Sequence, residues 1–308
     1  MEIGLYGLGR MGANMVRRLV RSGEHRVVAG NRSSGPVDQA VEDGAEGAYS
    51  MEELVEKLSA SPRVIWTMVP AGDVTEQALL KFADMMDEGD ILIDGGNSYF
   101  RDSIRRAEML HERGLRFLDA GTSGGIWGLE VGYCLMVGGD ASAFEHAEPA
   151  LKTLAPEDGY LYTGGPGAGH FVKMVHNGVE YAMLQSYAEG FEIMQKSQYD
   201  LDLHAVSHLW NQGSVVRSWL LELAESAFEK DANLDRIRGY VEDSGEGRWT
   251  VLEAINESVP ANAIAGSLFA RFASRQDDSF AMKVIAALRG EFGGHATQEA
   301  STKYPEQQ

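Results

Sequence analysis

The sequence has a single cysteine and no apolar run long enough to cross a bilayer. Because Cys134 has no second cysteine to pair with, an internal disulfide is excluded and a reducing compartment fits. The first strand-like segment starts at the N-terminus, so we expect no signal peptide. These absences predict a cytoplasmic protein.

Positive charge is also scarce, with 27 Lys and Arg against 46 Asp and Glu and a net charge of -19. This balance argues against nucleic acid and anionic membranes as partners and leaves a small molecule. An anionic substrate would need a local cluster of basic side chains, because the overall field of the protein opposes its approach. No group of His, Cys and Asp has the spacing of metal ligands, so we expect no metal.

A chain of 308 residues is near the limit for one core, and two domains are expected. Strand and helix patterns alternate in the first half, which predicts a Rossmann-type, doubly wound parallel α/β sheet. An all-α domain follows, and the boundary divides a dinucleotide-binding domain (1–163) from a helical substrate and oligomerisation domain (164–308). The predicted strands are 3–7, 26–31, 64–70, 91–94, 116–120 and 133–137. The predicted helices are 51–59, 101–113, 170–196, 203–229, 233–240, 251–257 and 261–288.

A Gly-x-Gly-x-x-Gly motif joins the first strand to a helical segment, which is the context that makes this motif credible. Gly7 allows the tight turn, Gly9 lets backbone amides approach a pyrophosphate, and Gly12 lets the helix lie close to the sheet. The N-terminus of the helix then offers free N–H groups to the phosphates. The sequence therefore predicts a dinucleotide site that includes Leu8, Arg10 and Met11.

The end of the second strand bears on the choice of dinucleotide. An NAD site usually has Asp or Glu there for the ribose 2′-hydroxyl, whereas this chain has Asn31, Arg32 and Ser33. No carboxylate repels a 2′-phosphate and Arg32 can pair with one, although Arg32 is equally compatible with a solvated loop. We therefore expect NADP, with NAD as the alternative.

The segment 169–181 places Lys173, His176, Asn177 and Glu180 at positions i, i+3, i+4 and i+7. In a helix all four side chains leave from one face. An amine and a carboxylate on one face can divide acid and base work on one small substrate. A solvated polar face is the alternative, but the apolar neighbours indicate a helix packed on several sides, where Lys and Glu need partners.

The motifs resemble those of the decarboxylating 6-phosphogluconate dehydrogenases, in the short form of the family. The resemblance spans nearly the whole chain and is carried by residues 7–12, 31–32, 94–98, 123–125, 169–181, 210–213, 248–250 and 292–295. It implies that Lys173 is the general base on the C3 hydroxyl and that Glu180 helps to protonate C1 of the enediol after CO2 leaves. Lys173 must then be neutral at working pH.

The resemblance and the loops at the strand ends also predict binding residues. Cofactor contacts are expected from the glycine motif, from Asn31, Arg32 and Ser33, and from Val69, Pro70, Ala71 and Asn97. Substrate contacts are expected from Asn97, Ser123, Gly124, Gly125, His176, Asn177, Tyr181, Arg248, Arg271, Arg289 and His295.

The phosphate end departs from the long form of the family. Two places that help to bind phosphate there hold Ser244 and Glu246 here, and a carboxylate beside a phosphate is repulsive unless a cation intervenes. Arg248 and Arg271 are candidate cations, although an exposed arginine in a salt bridge is an equal alternative for Arg248. Arg289 and His295 keep the spacing with which the family reaches a neighbouring subunit, which predicts a homo-oligomer, a dimer or a tetramer.

Two other functions remain open at the level of sequence. A β-hydroxyacid dehydrogenase acting on a smaller 3-hydroxy acid would share the fold, the lysine and the Ser-Gly-Gly loop. It would have no use for Glu180 or for Arg289 and His295. A catalytically silent dinucleotide sensor would keep the glycine motif but would have no need of both Lys173 and Glu180.

Overall fold

The computed structural model describes residues 1–293 and 296–298 and divides the chain into two compact units. The first unit contains Met1–Met183 and Gly245–Ile264. The second contains Leu184–Ser244 and the described residues from Ala265 onward. The predicted boundary at residue 164 stays a prediction.

The first unit is built on one eight-stranded sheet. Its strands are β1 (Glu2–Tyr6), β2 (Arg26–Gly30), β3 (Glu46–Ala48), β4 (Val64–Thr67), β5 (Ile91–Asp94), β6 (Arg116–Ser123), β7 (Cys134–Gly139) and β8 (Tyr160–Gly164). They lie in the order β3-β2-β1-β4-β5-β6-β7-β8. The first six strands are parallel and follow the doubly wound order, which confirms the predicted sheet.

The prediction of a parallel sheet is wrong at its far edge, where β7 runs antiparallel to β6 and β8 pairs in parallel with β7. A parallel neighbour needs a crossover of about a dozen residues or more. The connection 124–133 is shorter than that, so the chain returns in the opposite direction. Strands β3 and β8 were also not predicted, and β3 has only three residues, too few for a periodic pattern.

Helices cover both faces of this sheet, because its buried strands alternate apolar side chains between them. Ile91 and Ile93 of β5 belong to one core cluster, and Leu92 belongs to the other. The helices of this region are α1 (Arg10–Ser22), α2 (Ser34–Glu42), α3 (Met51–Lys57), α4 (Asp73–Ala83), α5 (Phe100–His111), α6 (Gly128–Val131) and α7 (Ala141–Leu154). Helices α1, α2 and α7 pack on the first face, and α3, α4 and α5 pack on the second.

The rest of the described chain is helical, as predicted. The helices are α8 (Ala168–Gln195), α9 (Leu203–Asn211), α10 (Trp219–Lys230), α11 (Glu246–Asn256), α12 (Asn262–Ser274) and α13 (Phe280–Gly293). In the second unit, Phe191, Leu221 and Phe228 form a small buried core. None of the helices within the described ranges is both long and apolar enough to span a membrane.

Two of the predicted helices are interrupted in the structure, and a third is absent. The helix expected over 203–229 is broken at Gly213, which has a φ of 82°, and α10 starts anew behind the cap of Ser218. The helix expected over 261–288 is interrupted by residues 275–279, whose Asp and Ser side chains favour turns. The region 233–240 is not helical, because Leu234 adopts a left-handed φ of 55°.

Candidate active site

The glycine motif forms the turn between β1 and α1. Gly7 has a φ of 103°, and its amide donates to the carbonyl of Gly30. A Cβ at Gly12 would lie 2.0 Å from the carbonyl oxygen of Gly7, so the close approach of α1 to this turn requires glycine. Gly9 precedes α1 without a side-chain cap, and the space beside its Cα is open. These residues fit the phosphates of a dinucleotide, because the first N–H groups of α1 are available to an anion.

A cleft of about 430 Å³ lies beside this turn. It is at the point where the strand order of the sheet reverses, between β1 and β4, which is where doubly wound sheets bind ligands. Its lining joins the motif to the ends of β4, β5 and β6: Gly9, Arg10, Met11, Gly12, Met68, Val69, Gly95, Gly96, Asn97, Gly125 and Ile126. Val69 and Asn97 were predicted here, whereas Pro70 and Ala71 are exposed in the loop that follows.

Asn31 contacts the motif directly. Its Oδ1 accepts from the backbone amide of Leu8 at 3.1 Å, and its Nδ2 donates to Ser33 Oγ at 3.0 Å. Asn31 therefore stabilises the turn as well as standing at the expected ribose position. Arg32 is exposed and forms no hydrogen bond or ion pair with other residues of the described ranges. Its guanidinium is thus available to an anion at the end of β2.

The loop after β5 is organised by the buried carboxylate of Asp94. Asp94 accepts from the amide of Gly96 at 2.9 Å and from Ser98 Oγ at 2.8 Å. Arg106, also buried, donates to Asp94 at 3.2 Å and to the carbonyl of Gly72 at 2.9 Å. Arg106 therefore links the two loops that follow β4 and β5.

Asn97 is held in a left-handed conformation by this loop and contacts β6. Its φ is 51°, its Nδ2 donates to the carbonyl of Thr122 at 3.1 Å, and its Oδ1 accepts from the amide of Thr122 at 2.8 Å. Ser123 follows at the end of β6, and Gly124 and Gly125 continue with positive φ. The cofactor cleft and the predicted substrate loop therefore meet at Asn97.

Helix α8 lies against β6 at very short range. A Cβ at Gly121 would lie 2.4 Å from the Cβ of Lys173, so only glycine allows this approach. The carboxylate of Asp119 accepts from the amides of Gly167 at 2.7 Å and of His170 at 2.8 Å, which holds the start of the helix on the strand. Burial raises the pKa of the Asp119 carboxyl, and these hydrogen bonds oppose that rise.

Lys173 is buried, with 5% of its surface exposed, and lies at the centre of a polar network. Its Nζ donates to Oδ1 of Asn177 at 2.7 Å, and the same oxygen is 2.9 Å from Nδ1 of His176. Nε2 of His176 is 3.3 Å from Ser123 Oγ. The structure therefore confirms the predicted helix and brings four of the predicted site residues into contact.

The environment of Lys173 favours the neutral amine. Burial lowers the pKa of Lys173, because removal from water penalises the charged form. The charges of Glu246, Glu180 and Cys134 act in the opposite direction. The net result is a lysine whose pKa is below its usual value, as a general base requires.

Helix α11 brings Glu246 to this network. Thr250 Oγ1 donates to the carbonyl of Met174 at 2.7 Å, and Gly247 lies directly against the ring of Tyr181, so α11 packs on α8 without a gap. Glu246, in the first turn of α11, is 7% exposed and accepts a hydrogen bond from Nδ2 of Asn177. The residue that the sequence placed beside the phosphate therefore contacts the lysine network.

Glu180 is half-buried on α8, one helical turn beyond Asn177, and its charge acts on Lys173. Three of the predicted phosphate residues lie on three different helices. Arg248 is exposed on α11, Arg271 donates to the carbonyl of Glu242 at 2.9 Å, and Arg289 is exposed on α13. His295 lies outside the described residues. The assignment of these four residues to a phosphate site stays a prediction.

Sequence reasoning missed the roles of Asp119, Arg106 and Glu246. A signal existed for Asp119, since a carboxylate inside the apolar strand pattern needs a partner. Arg106 gave no signal, because a helix in an α/β domain commonly exposes its arginines. No metal site adds further functional residues. In the described part of the chain, no group of three or more His, Cys, Asp or Glu is arranged to hold a metal ion.

Two sequence families match the chain. The family described as the NAD binding domain of 6-phosphogluconate dehydrogenase matches residues 2–164. The family described as 6-phosphogluconate dehydrogenase, C-terminal domain, matches residues 169–303.

Individual relatives agree with this match. The NAD(+)-dependent, decarboxylating 6-phosphogluconate dehydrogenase of Haloferax volcanii is 46% identical over 297 residues, covering 96% of this chain and 98% of that protein. The protein of the same name from Bacillus subtilis is 36% identical over 308 residues, covering 94% of this chain and 65% of that protein. The structure of Plasmodium falciparum 6-phosphogluconate dehydrogenase aligns with a TM-score of 0.82 and 28% identity over 99% of this chain and 67% of that one. The chain therefore belongs to the 6-phosphogluconate dehydrogenase family that its motifs resemble.

Proposed function

We propose that this protein oxidises and decarboxylates 6-phosphogluconate to ribulose 5-phosphate and CO2, with hydride transfer to NADP or NAD. The observation that carries the proposal is Lys173, a buried lysine of lowered pKa whose hydrogen-bond network reaches Ser123 at the end of β6, in a chain of this family. The relatives from Haloferax and Bacillus are named for this decarboxylating activity.

Lys173 acts as the general base. A neutral amine has a lone pair that can accept the proton of the substrate C3 hydroxyl while its N–H donates to Asn177. A bound nicotinamide supplies the acceptor for the hydride that leaves C3. The protonated Lys173 then stabilises the enol oxygen that forms as CO2 leaves, because the positive charge now faces a developing negative charge.

Glu180 acts as the acid that returns a proton to C1 of the enediol. It stands two helical turns from Lys173 on the same helix and is close enough for its charge to act on the lysine. An amine that takes a proton and a carboxyl group that gives one can work in sequence on neighbouring carbons of one substrate. Asn97, Ser123, Gly124, Gly125, His176 and Asn177 are proposed to hold the hydroxyl and carboxylate groups.

The dinucleotide is proposed to be NADP, with NAD as the second candidate. Arg32 is exposed at the end of β2, and position 31 holds Asn where an NAD site usually has Asp or Glu. Both features favour a 2′-phosphate. NAD is favoured by the names of the Haloferax and Bacillus relatives, both NAD(+)-dependent, whereas the Plasmodium enzyme was solved with NADP+. Kinetics with each cofactor decide between them.

We also propose a homo-oligomer with shared sites, in which Arg289 and His295 complete the phosphate site of a neighbour together with Arg248 and Arg271. No residue of α13 is buried against the described part of the chain. Phe280 and Phe292 are both 78% exposed there. A helix that exposes large apolar side chains in this way is typical of a protein interface.

The cytoplasmic location and the absence of nucleic-acid, membrane and metal partners stay predictions. They rest on the single cysteine, the net charge of -19 and the side chains available as ligands.

The function is tested by steady-state kinetics with 6-phosphogluconate and each cofactor, with CO2 and pentulose phosphate measured together. We expect reduced cofactor, CO2 and ribulose 5-phosphate in equal amounts. Reduced cofactor without CO2, or turnover only with smaller 3-hydroxy acids, would instead indicate a simple hydroxyacid dehydrogenase. No turnover with any acid would indicate a catalytically silent dinucleotide sensor.

A further inference from the structure

Glu246 has a buried carboxylate at the edge of the lysine network. It is 7% exposed, and its Oε2 accepts a hydrogen bond from Nδ2 of Asn177. The other face of that amide, Oδ1, accepts from Lys173 Nζ at 2.7 Å. One asparagine side chain therefore separates the amine from the carboxylate.

The carboxylate of Glu246, which can only accept, favours one orientation of the Asn177 amide. With Nδ2 towards Glu246 and Oδ1 towards Lys173, every contact joins a donor to an acceptor. In the turned orientation an oxygen would face the carboxylate of Glu246, so that contact would be lost, and the N–H₂ group would occupy the lone pair that a neutral Lys173 needs as a base. Glu246 therefore decides which face of Asn177 is presented to Lys173.

The same orientation determines the tautomer of His176. Oδ1 of Asn177 can only accept, so Nδ1 of His176 at 2.9 Å carries the proton. Nε2 then accepts from the hydroxyl of Ser123 at 3.3 Å. The orientation that Glu246 imposes thus extends through His176 to the substrate loop at the end of β6.

A general helix-capping role does not account for this arrangement. An acidic residue in the first turn of α11 interacts favourably with the helix dipole when it is exposed to solvent. Glu246 is instead buried towards α8. Glu253, on the same helix and also 7% exposed, is paired with Arg101 at 2.9 Å, which provides an internal comparison.

We propose that Glu246 is a positioning residue for the catalytic lysine: it holds Asn177 in the orientation that accepts from Lys173, and its negative charge faces the amine across that amide. This inference rests on the proposed function, because it requires Lys173 to be the general base of the reaction. It also reassigns Glu246 from the phosphate end of the site to the base.

Several charged or titratable groups face Lys173. Glu246 comes from α11, Glu180 and His176 from its own helix, Cys134 from β7, and Asp119 from β6 holds the start of α8. Burial lowers the pKa of Lys173, and Glu246 is the first among the charges that oppose this effect. Removal of the Glu246 charge should therefore lower the pKa of Lys173 further.

Three variants separate charge from position. Glu246→Gln keeps the size and an acceptor oxygen but removes the charge, Glu246→Asp keeps the charge but shortens the reach, and Glu246→Ala removes both. Glu253→Gln is the matched control on the same helix. Melting temperatures and dinucleotide binding are measured for each variant, so that a folding defect is recognised.

We expect Glu246→Gln to move the acid limb of the kcat/KM pH profile to lower pH, because the charge that opposes the lowering of the Lys173 pKa is removed. Glu246→Asp and Glu246→Ala should lose about 10–100-fold in kcat, because a misplaced base is costly, while KM for the cofactor stays unchanged. Glu253→Gln should move neither quantity. An unshifted limb in Glu246→Gln, or full kcat in Glu246→Ala, would overturn the proposal.

A second readout does not depend on the substrate. The pKa of Lys173 is followed by NMR of protein with ¹³Cε-labelled lysine, with the signal assigned by its loss in Lys173→Arg. A lower pKa in Glu246→Gln than in wild type and Glu253→Gln supports the contact even if 6-phosphogluconate is not turned over. An equal pKa in all three proteins overturns it, whatever the outcome of the activity assay.

Discussion

Nζ of Lys173 donates to Oδ1 of Asn177 over 2.7 Å, one helical turn along α8. The contact fixes the position of the amine without stabilising its charged form, since Asn177 carries no charge. A carboxylate in the same place would favour the ammonium form and remove the base. The geometry therefore combines a tethered amine with a lowered pKa, and the predictions below depend on this combination.

Lys173→Met should reduce turnover by about 10²–10⁴-fold or more, because general base catalysis contributes that much and orientation adds to it. Dinucleotide binding should persist, since the glycine motif is untouched. The measurements are kcat and the dissociation constant of the cofactor, with Lys152→Met on the exposed surface of α7 as the control. A Lys173 variant with a tenth of wild-type activity would remove this residue from the mechanism.

The pH dependence of kcat/KM should follow the deprotonation of Lys173. The neutral amine is the active form, so activity should rise with pH through the pKa of the lysine and level off above it. Because burial lowers that pKa, the rise should lie below the usual lysine value of 10.5. A profile that extends from acid pH to above the usual lysine value checks this, and a limb at that usual value would contradict the role of burial.

Glu180→Gln should impair the overall reaction without abolishing substrate binding, because the amide cannot donate the proton to C1. The solvent isotope effect on kcat should increase as protonation becomes limiting. Glu189→Gln, an exposed position further along α8, is the control. Unchanged turnover and an unchanged isotope effect would leave Glu180 with a structural role only.

Arg32→Ala should raise KM for NADP far more than KM for NAD. A lost charge-assisted hydrogen bond to the 2′-phosphate corresponds to about 1–3 kcal/mol. Arg21→Ala, an exposed arginine at the end of α1, should change neither constant. Equal effects on both cofactors, or a wild-type protein that strongly prefers NAD, would defeat the assignment of NADP.

Mixed oligomers should regain activity if sites are shared. A Lys173→Ala chain supplies intact phosphate-binding residues, and an Arg289→Ala/His295→Ala chain supplies an intact base, so some hybrid sites would have both. Activity after mixing, compared with each inactive parent, measures this recovery. Lack of recovery in a verified hybrid, or a fully active monomer by light scattering, would refute the shared site.

The glycine motif and the segment around Lys173 could be predicted because each is a local pattern. Gly7, Gly9 and Gly12 determine a turn by their backbone geometry alone. Lys173 and Asn177 lie four residues apart, so a helix suffices to bring them together. The breaks in the later helices were missed because they depend on a left-handed glycine or on caps within an otherwise helical composition.

Glu246 shows why the rest could not be predicted. The resemblance to the family placed it at the phosphate end, but 69 residues separate it from Asn177, and no local spacing encodes that contact. The antiparallel β7 is another case, because strand direction depends on how a connection closes in space.

The sequence by itself determined the dinucleotide-binding turn, the polar face of α8 and the family, because these depend on residue type and short-range spacing. Only the tertiary structure decided that Lys173 is buried against Gly121, that Asn177 separates it from Glu246, and that Arg106 joins two loops of the cleft. The physical reason is that burial and charge proximity, which set the pKa of the base, arise from contacts between distant segments.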